Sequence, residues 1–464
     1  MPTLTVQEIV RATQGALVVG DLGIPVAGVS IDSRTLGVGD AFFAIRGLTH
    51  DGHEFLTEAA SRGAACLVVH TVPDRLPVGV PLVLVEDTTH ALGRLGAWHR
   101  ARFTIPVVGV TGTNGKTTTK ELVAATLGSR LTVLKPEASF NNQWGLPLTL
   151  LKLTADHQAL VVELGANHPG EIAGLAALAA PTVGIVTTVA QGHTEFFGSL
   201  DGVREEKAAL VRALPPAGHA VLNADDARVA SMARDTRARV LTYGRAAGAD
   251  VRVVGGVTED PAGVAFTLEA HGRRQAIQLT LAGRHNVGNA LAAAAAGLAL
   301  GLELEAIADG LARARALKGR CVWRQAGDVR ILDDTYNANP DSVRAALAVV
   351  SAHRGGRRAV IVLGDMLELG VAGEEAHREV GRQVAALGDV ELVGLGRLMS
   401  AAIEAARAAG LAEAHHAPTF EDTVAHLLKR LAPGDVVLVK GSRGMRMERV
   451  VDALTARLHR REPR

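Results

Sequence analysis

Cysteine, aromatic residues, net charge and long apolar runs are all scarce in this chain, and each scarcity removes a class of function. The two cysteines, Cys66 and Cys321, lie far apart and match no metal-ligand spacing. That excludes a disulfide scaffold or zinc module and fits buried, reduced thiols. Aromatics are 3% of the residues, which leaves little surface on which bases could stack. Lys+Arg 49 against Asp+Glu 48 gives a formal charge of +1, so no basic field argues for nucleic acid. Met1 to Asp21 lacks the basic start and apolar run of a signal peptide, and no stretch of about 18 apolar residues occurs. A cytoplasmic protein without membrane insertion is expected. What is abundant is aliphatic: 48% hydrophobic residues with few rings describe an Ala/Val/Leu core suited to α/β layering. At 464 residues the chain exceeds what one core usually organises, so two or three domains are expected.

The stretch around which the chain is organised is VVGVTGTNGKTTTKE, Val107 to Glu121. Apolar residues lead into a Gly-rich turn, then Lys116 and three threonines, then a helical run: strand, phosphate-binding loop, helix. In such a loop the N–H groups around Gly112, Thr113, Asn114, Gly115 and Thr118 cradle phosphates, Lys116 reaches the β/γ-phosphates and Thr117 ligates Mg²⁺. The strict pattern G-x-x-x-x-G-K-S/T asks for Gly where Val110 stands, a departure of one residue. A Gly-rich turn with a solvated lysine is the plain alternative, and the order strand, loop, helix argues against it.

Residues 1–103 read as a small α/β unit, with a helix over Val6–Gly15 and strands at Gly28–Ile31, Ala64–Val69 and Leu82–Val85. Between them, Asp32 to Phe55 is rich in turn residues around Ser33, Arg34, Asp51 and His53. These polar groups could hold a phosphorylated or hydroxyl-rich ligand, but the residue types alone favour a loop-rich surface with a Gly-defined turn.

Residues 104–314 carry the nucleotide site. Asn141 and Asn142 precede a Gly-Leu-Pro turn, which they could serve only by satisfying backbone groups. The apolar strand Ala159–Leu164 places Glu163 near its carboxyl end, where ligands of a nucleotide-binding sheet gather and a carboxylate can ligate Mg²⁺. A strand over Thr182–Val189 is followed by His193, which emerges into the same crevice. Lys207 lies fourteen residues later on a helix beginning near Leu200–Asp201; beside Glu205 and Glu206 it reads as a surface lysine. VLNADD at 221–226 has Ala224 where a guanine-selecting N-K-x-D motif needs lysine, which argues against a small GTPase. Residues 238–281 alternate apolar and polar, suggesting an antiparallel β elaboration. Asn286 and Asn289 open an Ala-rich helix three residues apart, facing one ligand or capping the helix.

Residues 315–464 read as a further, Rossmann-like α/β domain. Strands at Val329–Leu332, Ala359–Leu363, Glu391–Leu395 and Val436–Val439 end in Asp333-Asp334, GDMLELG and KGSRG. Charged groups thus collect along one rim of a sheet, the place where open α/β folds bind ligands.

Taken together these segments resemble the Mur ligase family, ATP-dependent amide-forming enzymes of peptidoglycan precursor synthesis. The resemblance spans essentially the whole chain: GVTGTNGKTTTKE at 109–121, FNNQWGLP at 140–147, VELGANHPGEI at 162–172, the His193…Lys207 segment, LNADD at 222–226, GRHNVGNALAA at 283–293 and KGR at 318–320. DDTYNANPDS at 333–342 and LGDMLELG at 363–370 look like the member that adds D-alanyl-D-alanine to UDP-N-acetylmuramoyl-tripeptide. One departure is Phe196, where members more often carry glycine.

The resemblance implies a small N-terminal substrate domain, a central P-loop-type parallel-sheet ATPase domain and a C-terminal ligase domain. It implies that Lys207 is carbamylated by CO₂ and, with Glu163 and His193, holds a second Mg²⁺, the first lying at Lys116 and Thr117. It further implies that Asn289 contacts adenine, Asp334 the ribose and Arg320 the γ-phosphate. Ser33, Arg34, Asp51 and His53 would hold the UDP end, Asn141 and Asn142 would lie near the reacting carboxylate, and Tyr336, Asn337 and Asn339 would meet the dipeptide. The implied chemistry is attack of the tripeptide carboxylate on ATP to give an acyl phosphate, then attack by the amine, with Lys116, Arg320 and two Mg²⁺ ions neutralising charge. The small-molecule substrates require no nucleic acid, and a monomer is expected. Another ligase of the same superfamily, a P-loop kinase and a nucleotide-gated regulator remain the competing readings; a kinase shows no amine dependence, and a regulator hydrolyses slowly whatever the substrate.

Overall fold

The computed structural model describes residues 4–47, 49–75, 79–137, 139–192 and 194–459. Three main sheets follow one another along the chain, each with an apolar core on either face. The fold is α/β in three domains.

The N-terminal sheet orders Ala16–Val19, Leu82–Leu84, Cys66–Val69, Asp40–Phe43 and Gly28–Ser30, antiparallel only at its first pair. Ala16–Val19 and Asp40–Phe43 add to the strands read from sequence. Asp40–Phe43 is four residues amid turn formers, and becomes a strand by pairing on both sides.

The central sheet runs Val133–Leu134, Ala159–Glu163, Val107–Thr111, Val183–Val186, His219–Asn223, Arg239–Gly244 and Val251–Asp260 in parallel, then Gly263–Ala270 and Arg273–Leu279 antiparallel. The antiparallel reading of 238–281 is therefore corrected at its start. The chain crosses back through the helix Ala227–Ser231 before Arg239–Gly244, so that strand enters parallel to His219–Asn223. The strand expected over Thr182–Val189 stops at Val186, because Thr187 turns its hydroxyl to Thr111 O at 3.2 Å and Asn114 O at 2.6 Å. The surface reading of Lys207 is also corrected: within Leu200–Arg212 both Glu206 and Lys207 face inward, at 6% and 2% exposure.

The C-terminal sheet orders Val322–Ala326, Val329–Asp334, Val436–Lys440, Ala359–Gly364, Val390–Leu395 and Ala414–Ala417, parallel after the first hairpin. Register pairs Asp334 with Lys440, putting both on the carboxyl rim. Cys66 and Cys321 are buried and unbridged.

The N-terminal and central domains share packing. Trp144, Leu148 and Leu151, from and beside the helix Gly145–Leu150, pack into the N-terminal core. The helix Thr88–Arg100 lies so close that a Cβ on Gly96 would come within 2.9 Å of Pro147 Cα. Buried His99 reaches Leu153 O through Nε2 at 3.0 Å. Among the described residues no helix is long and apolar enough to cross a membrane.

Candidate active site

Val107–Thr111 is buried along its whole length, and the chain turns immediately after it. Gly112 and Gly115 take φ of 141° and 80°, which side chains rarely adopt, and a Cβ on Gly115 would meet Asn289 Oδ1 at 2.4 Å. The turn is pinned from the adjoining chain: Thr113 N donates to Thr188 O at 2.8 Å and Asn114 N to Thr188 Oγ1 at 3.0 Å. The helix Lys116–Leu127 then begins without a side-chain cap, leaving its first N–H groups and its positive dipole end available to an anion. Lys116 Nζ folds back onto Gly112 O at 2.8 Å and Thr113 O at 3.0 Å. Burial lowers its pKa and the Glu163 carboxylate opposes that fall.

A cavity of about 1250 Å³ opens over this loop and is walled by all three domains. The central domain gives Thr113 to Thr118, Asn141, Asn142, Glu163 and Asn289 to the lining; the C-terminal domain gives Arg320, Asp334, Tyr336, Asn337 and Asn339. Arg320 Nη2 donates to Thr117 Oγ1 at 3.0 Å, while its guanidinium lies 3.8 Å from the centre of the Tyr336 ring. Asp334 accepts from Lys440 Nζ at 2.6 Å and from Cys321 N at 3.1 Å. Asn289 accepts from Thr119 Oγ1 at 3.2 Å and donates to Asn286 Oδ1 at 2.9 Å, so the two asparagines hold one another at the helix start.

Glu163 is 1% exposed; Oε1 accepts from Asn141 Nδ2 at 2.8 Å, and Oε2 has no hydrogen-bond partner among the described residues. A buried carboxylate oxygen left without a donor suits a cation. Asn142 serves the turn instead, accepting from Trp144 N at 3.2 Å and Gly145 N at 2.9 Å. Lys207 does not line the cavity: it is buried, with Nζ 5.6 Å from the Phe197 ring centre. Burial, aided by the charge of Lys116, lowers its pKa to about 7. His193 lies outside the described residues. Among those described, no group of three or more His, Cys, Asp or Glu is placed to hold a metal. Phe196, half-exposed, sets its ring 4.9 Å from that of His168, a lining residue.

The four N-terminal candidates do not line the cavity. Ser33 is buried and donates to Glu58 Oε2 at 2.9 Å; Arg34 pairs with Asp32 at 2.7 Å; Asp51 accepts from His53 N at 3.0 Å. The N-terminal wall is instead Arg46, Gly47, Asp87, Thr89 and His90, with Trp144 Nε1 donating to Thr89 Oγ1 at 3.0 Å. The sequence carried no signal for them, since Asp87 reads as a helix cap and accepts from His90 N at 2.7 Å.

Three family models match in order: the Mur ligase family catalytic domain over residues 25–100, the Mur ligase middle domain over 110–297 and the Mur ligase glutamate ligase domain over 319–443. The chain belongs to the Mur ligase family. A relative named UDP-N-acetylmuramoyl-tripeptide--D-alanyl-D-alanine ligase, from Escherichia coli (strain K12), is 36% identical over 98% of this chain and 99% of its own length. The crystal structure of MurF from Acinetobacter baumannii is similar at a TM-score of 0.91 and 33% identity, covering 98% of this chain and 100% of that one. MurF ligase from Thermotoga maritima in complex with ADP gives a TM-score of 0.81 at 27% identity over 94% and 98%. As a Mur ligase, the chain is an ATP-dependent ligase whose loop at Gly112–Thr118 opens into the junction of three domains.

Proposed function

We propose that this chain joins D-alanyl-D-alanine to the C-terminal carboxylate of UDP-N-acetylmuramoyl-tripeptide in the cytoplasm, using ATP through an acyl phosphate. The observation that carries the reading is a cavity over the phosphate loop that takes walls from three domains, as a nucleotide, a sugar-nucleotide peptide and an amine together require.

A carboxylate attacking a γ-phosphate brings two anions together, so the work of the residues is neutralisation and alignment. Lys116 and the helix N-terminus face the phosphates. Arg320 arrives from the C-terminal domain and already touches Thr117. Asn289 and Asp334, both in the cavity lining, are on this reading the adenosine contacts. Asn141 orients Glu163, and Tyr336, Asn337 and Asn339 line the side from which the amine enters. The N-terminal wall, with Arg46, takes the UDP end.

The residues fit divalent cations: Thr117 supplies a hydroxyl, and Glu163 a carboxylate oxygen that lacks a donor. Mg²⁺ bound there supplies charge neutralisation for the phosphates and the reacting carboxylate. Lys207 fits the carbamate role, because an amine with a pKa of about 7 is largely neutral just above that pH and its lone pair can attack CO₂. A C–N bond forms between the neutral amine and the CO₂ carbon, one proton leaves the nitrogen, and a buried neutral group becomes an anion able to join Glu163 as a ligand.

The deciding measurement is phosphate release from ATP with the tripeptide nucleotide, with and without D-alanyl-D-alanine. Release needing both, with a pentapeptide product by mass, is the expected outcome. Release with a different amine keeps the ligase and moves its step; indifference to either substrate overturns the proposal.

A further inference from the structure

Glu206 precedes Lys207 and is 6% exposed, yet among the described residues no cation forms an ion pair with its carboxylate. Its oxygens accept backbone N–H groups from another element: Oε2 from Gly170 at 2.7 Å and Oε1 from Ile172 at 2.7 Å. These N–H groups open the helix Glu171–Ala179, whose N-cap is Gly170 and has no side chain to offer. A glutamate from the helix Leu200–Arg212 therefore caps a helix thirty-six residues away in sequence.

The segment capped in this way begins at Glu163. It runs from the end of Ala159–Glu163 through Gly165, Asn167 and His168, which line the cavity. Its near end is tied by Gly165 N donating to Asn141 O at 2.9 Å. Its middle is tied by Asn167 N donating to Glu171 Oε2 at 2.7 Å. Glu206 ties its far end. Neighbours on a helix point about 100° apart, so fixing Glu206 on Gly170 and Ile172 fixes the rotation of its helix and hence the direction of Lys207.

We propose that Glu206 is a positioning residue that holds the Lys207 helix in register with the Glu163 segment, so that a carbamate on Lys207 and the Glu163 carboxylate meet one ion. The proposal rests on the carbamate reading of Lys207 given above.

The test uses the full chain and four variants: Glu206→Ala, Glu206→Gln, Lys207→Ala and Thr419→Ala. The last removes the cap of Phe420–Arg430 in the C-terminal domain and serves as the structural control. Each is equilibrated with ¹³C-bicarbonate and read by ¹³C NMR for a lysine carbamate, then titrated with Mg²⁺ for thermal stabilisation in the presence of a non-hydrolysable ATP analogue. Glu206→Ala is expected to lose most of the carbamate signal and to need about tenfold more Mg²⁺. Glu206→Gln, which can accept only one of the two N–H bonds, should fall between it and the unaltered chain. Thr419→Ala should lower the melting temperature and leave both readouts alone. A full carbamate signal and unchanged Mg²⁺ titration in Glu206→Ala, with only a lower melting temperature, overturns the positioning role and leaves Glu206 a structural cap. An unaltered chain with no signal beyond Lys207→Ala overturns the carbamate reading itself, and this proposal with it.

Discussion

Asn114 and Asn339 exchange their side-chain amides across the boundary between the central and C-terminal domains, each donating to the other at 3.3 and 2.8 Å. One belongs to the phosphate loop, and the other caps the helix Pro340–His353 by accepting from Ser342 N at 2.9 Å. The contact therefore joins the C-terminal domain directly to the phosphate loop.

Asn339→Asp separates the two roles. Aspartate caps as well as asparagine, so the melting temperature should hold. A carboxylate has no N–H for Asn114 and sets a negative charge beside the phosphates, so kcat/KM should fall about tenfold or more. Unaltered steady-state kinetics would show that closure does not depend on this pair.

Tyr336 lies 3.8 Å from the guanidinium carbon of Arg320 and 5.4 Å from that of Arg443. The ring face, not the hydroxyl, holds these cations. Tyr336→Phe should keep most activity, whereas Tyr336→Ala should lose roughly the worth of a partly buried cation–π contact, about 1–2 kcal/mol or about tenfold in kcat. Equal losses in the two variants would place the importance on the hydroxyl.

Lys207 makes stability depend on pH in a defined direction. Its folded pKa of about 7 lies below the ordinary value of 10.5, so between them the unfolded chain binds more protons. Stability attributable to this residue should rise with pH across that window, by up to about 1.4 kcal/mol per unit, and its penalty should be full below pH 7. Urea unfolding in CO₂-free buffer should show the unaltered chain gaining on Lys207→Met between about pH 7 and 9. A constant difference would mean that the amine is not buried in solution.

Glu259, on the strand Val251–Asp260, meets His353 of the C-terminal domain at 3.0 Å and Arg284 at 3.3 Å, with the Glu259 and His353 side chains only 6% and 4% exposed. Glu259→Ala leaves the buried His353 unsatisfied and should cost about 1–3 kcal/mol in unfolding free energy; Glu259→Gln keeps a neutral partner and should cost less. A denaturation midpoint unmoved by Glu259→Ala would show that the extension does not brace the C-terminal domain.

The phosphate loop was legible because strand, glycines, lysine and helix are contiguous, and local geometry follows from local sequence. So were the parallel strands that end in Glu163 and Asp334. Asn141 and Asn142 look alike in sequence, yet one orients Glu163 and the other satisfies a turn; only the fold separates them. Lys207 and Glu206 read as solvated because a charged triplet suggests an outer face, and only packing against Gly170 and Phe197 turns them inward. Ser33 is held by Glu58, Arg34 by Asp32, and Asp51 and His53 by each other, while Arg46 and His90, unremarkable in sequence, wall the cavity. No local pattern could have paired Asn114 with Asn339 across 225 positions.

The packing of Trp144, Leu148 and Leu151 into the N-terminal core makes two of the cavity's three walls one piece. A motion that carried away the third wall, the one bearing Arg320 and Tyr336, would open the cavity without breaking that packing. Ligands that need only the first two walls can arrive and settle while it is away, and the one that enters beside Tyr336 has no finished seat until it returns. An ordered uptake, with the ligand beside Tyr336 last, is therefore the expected outcome of how the walls are joined.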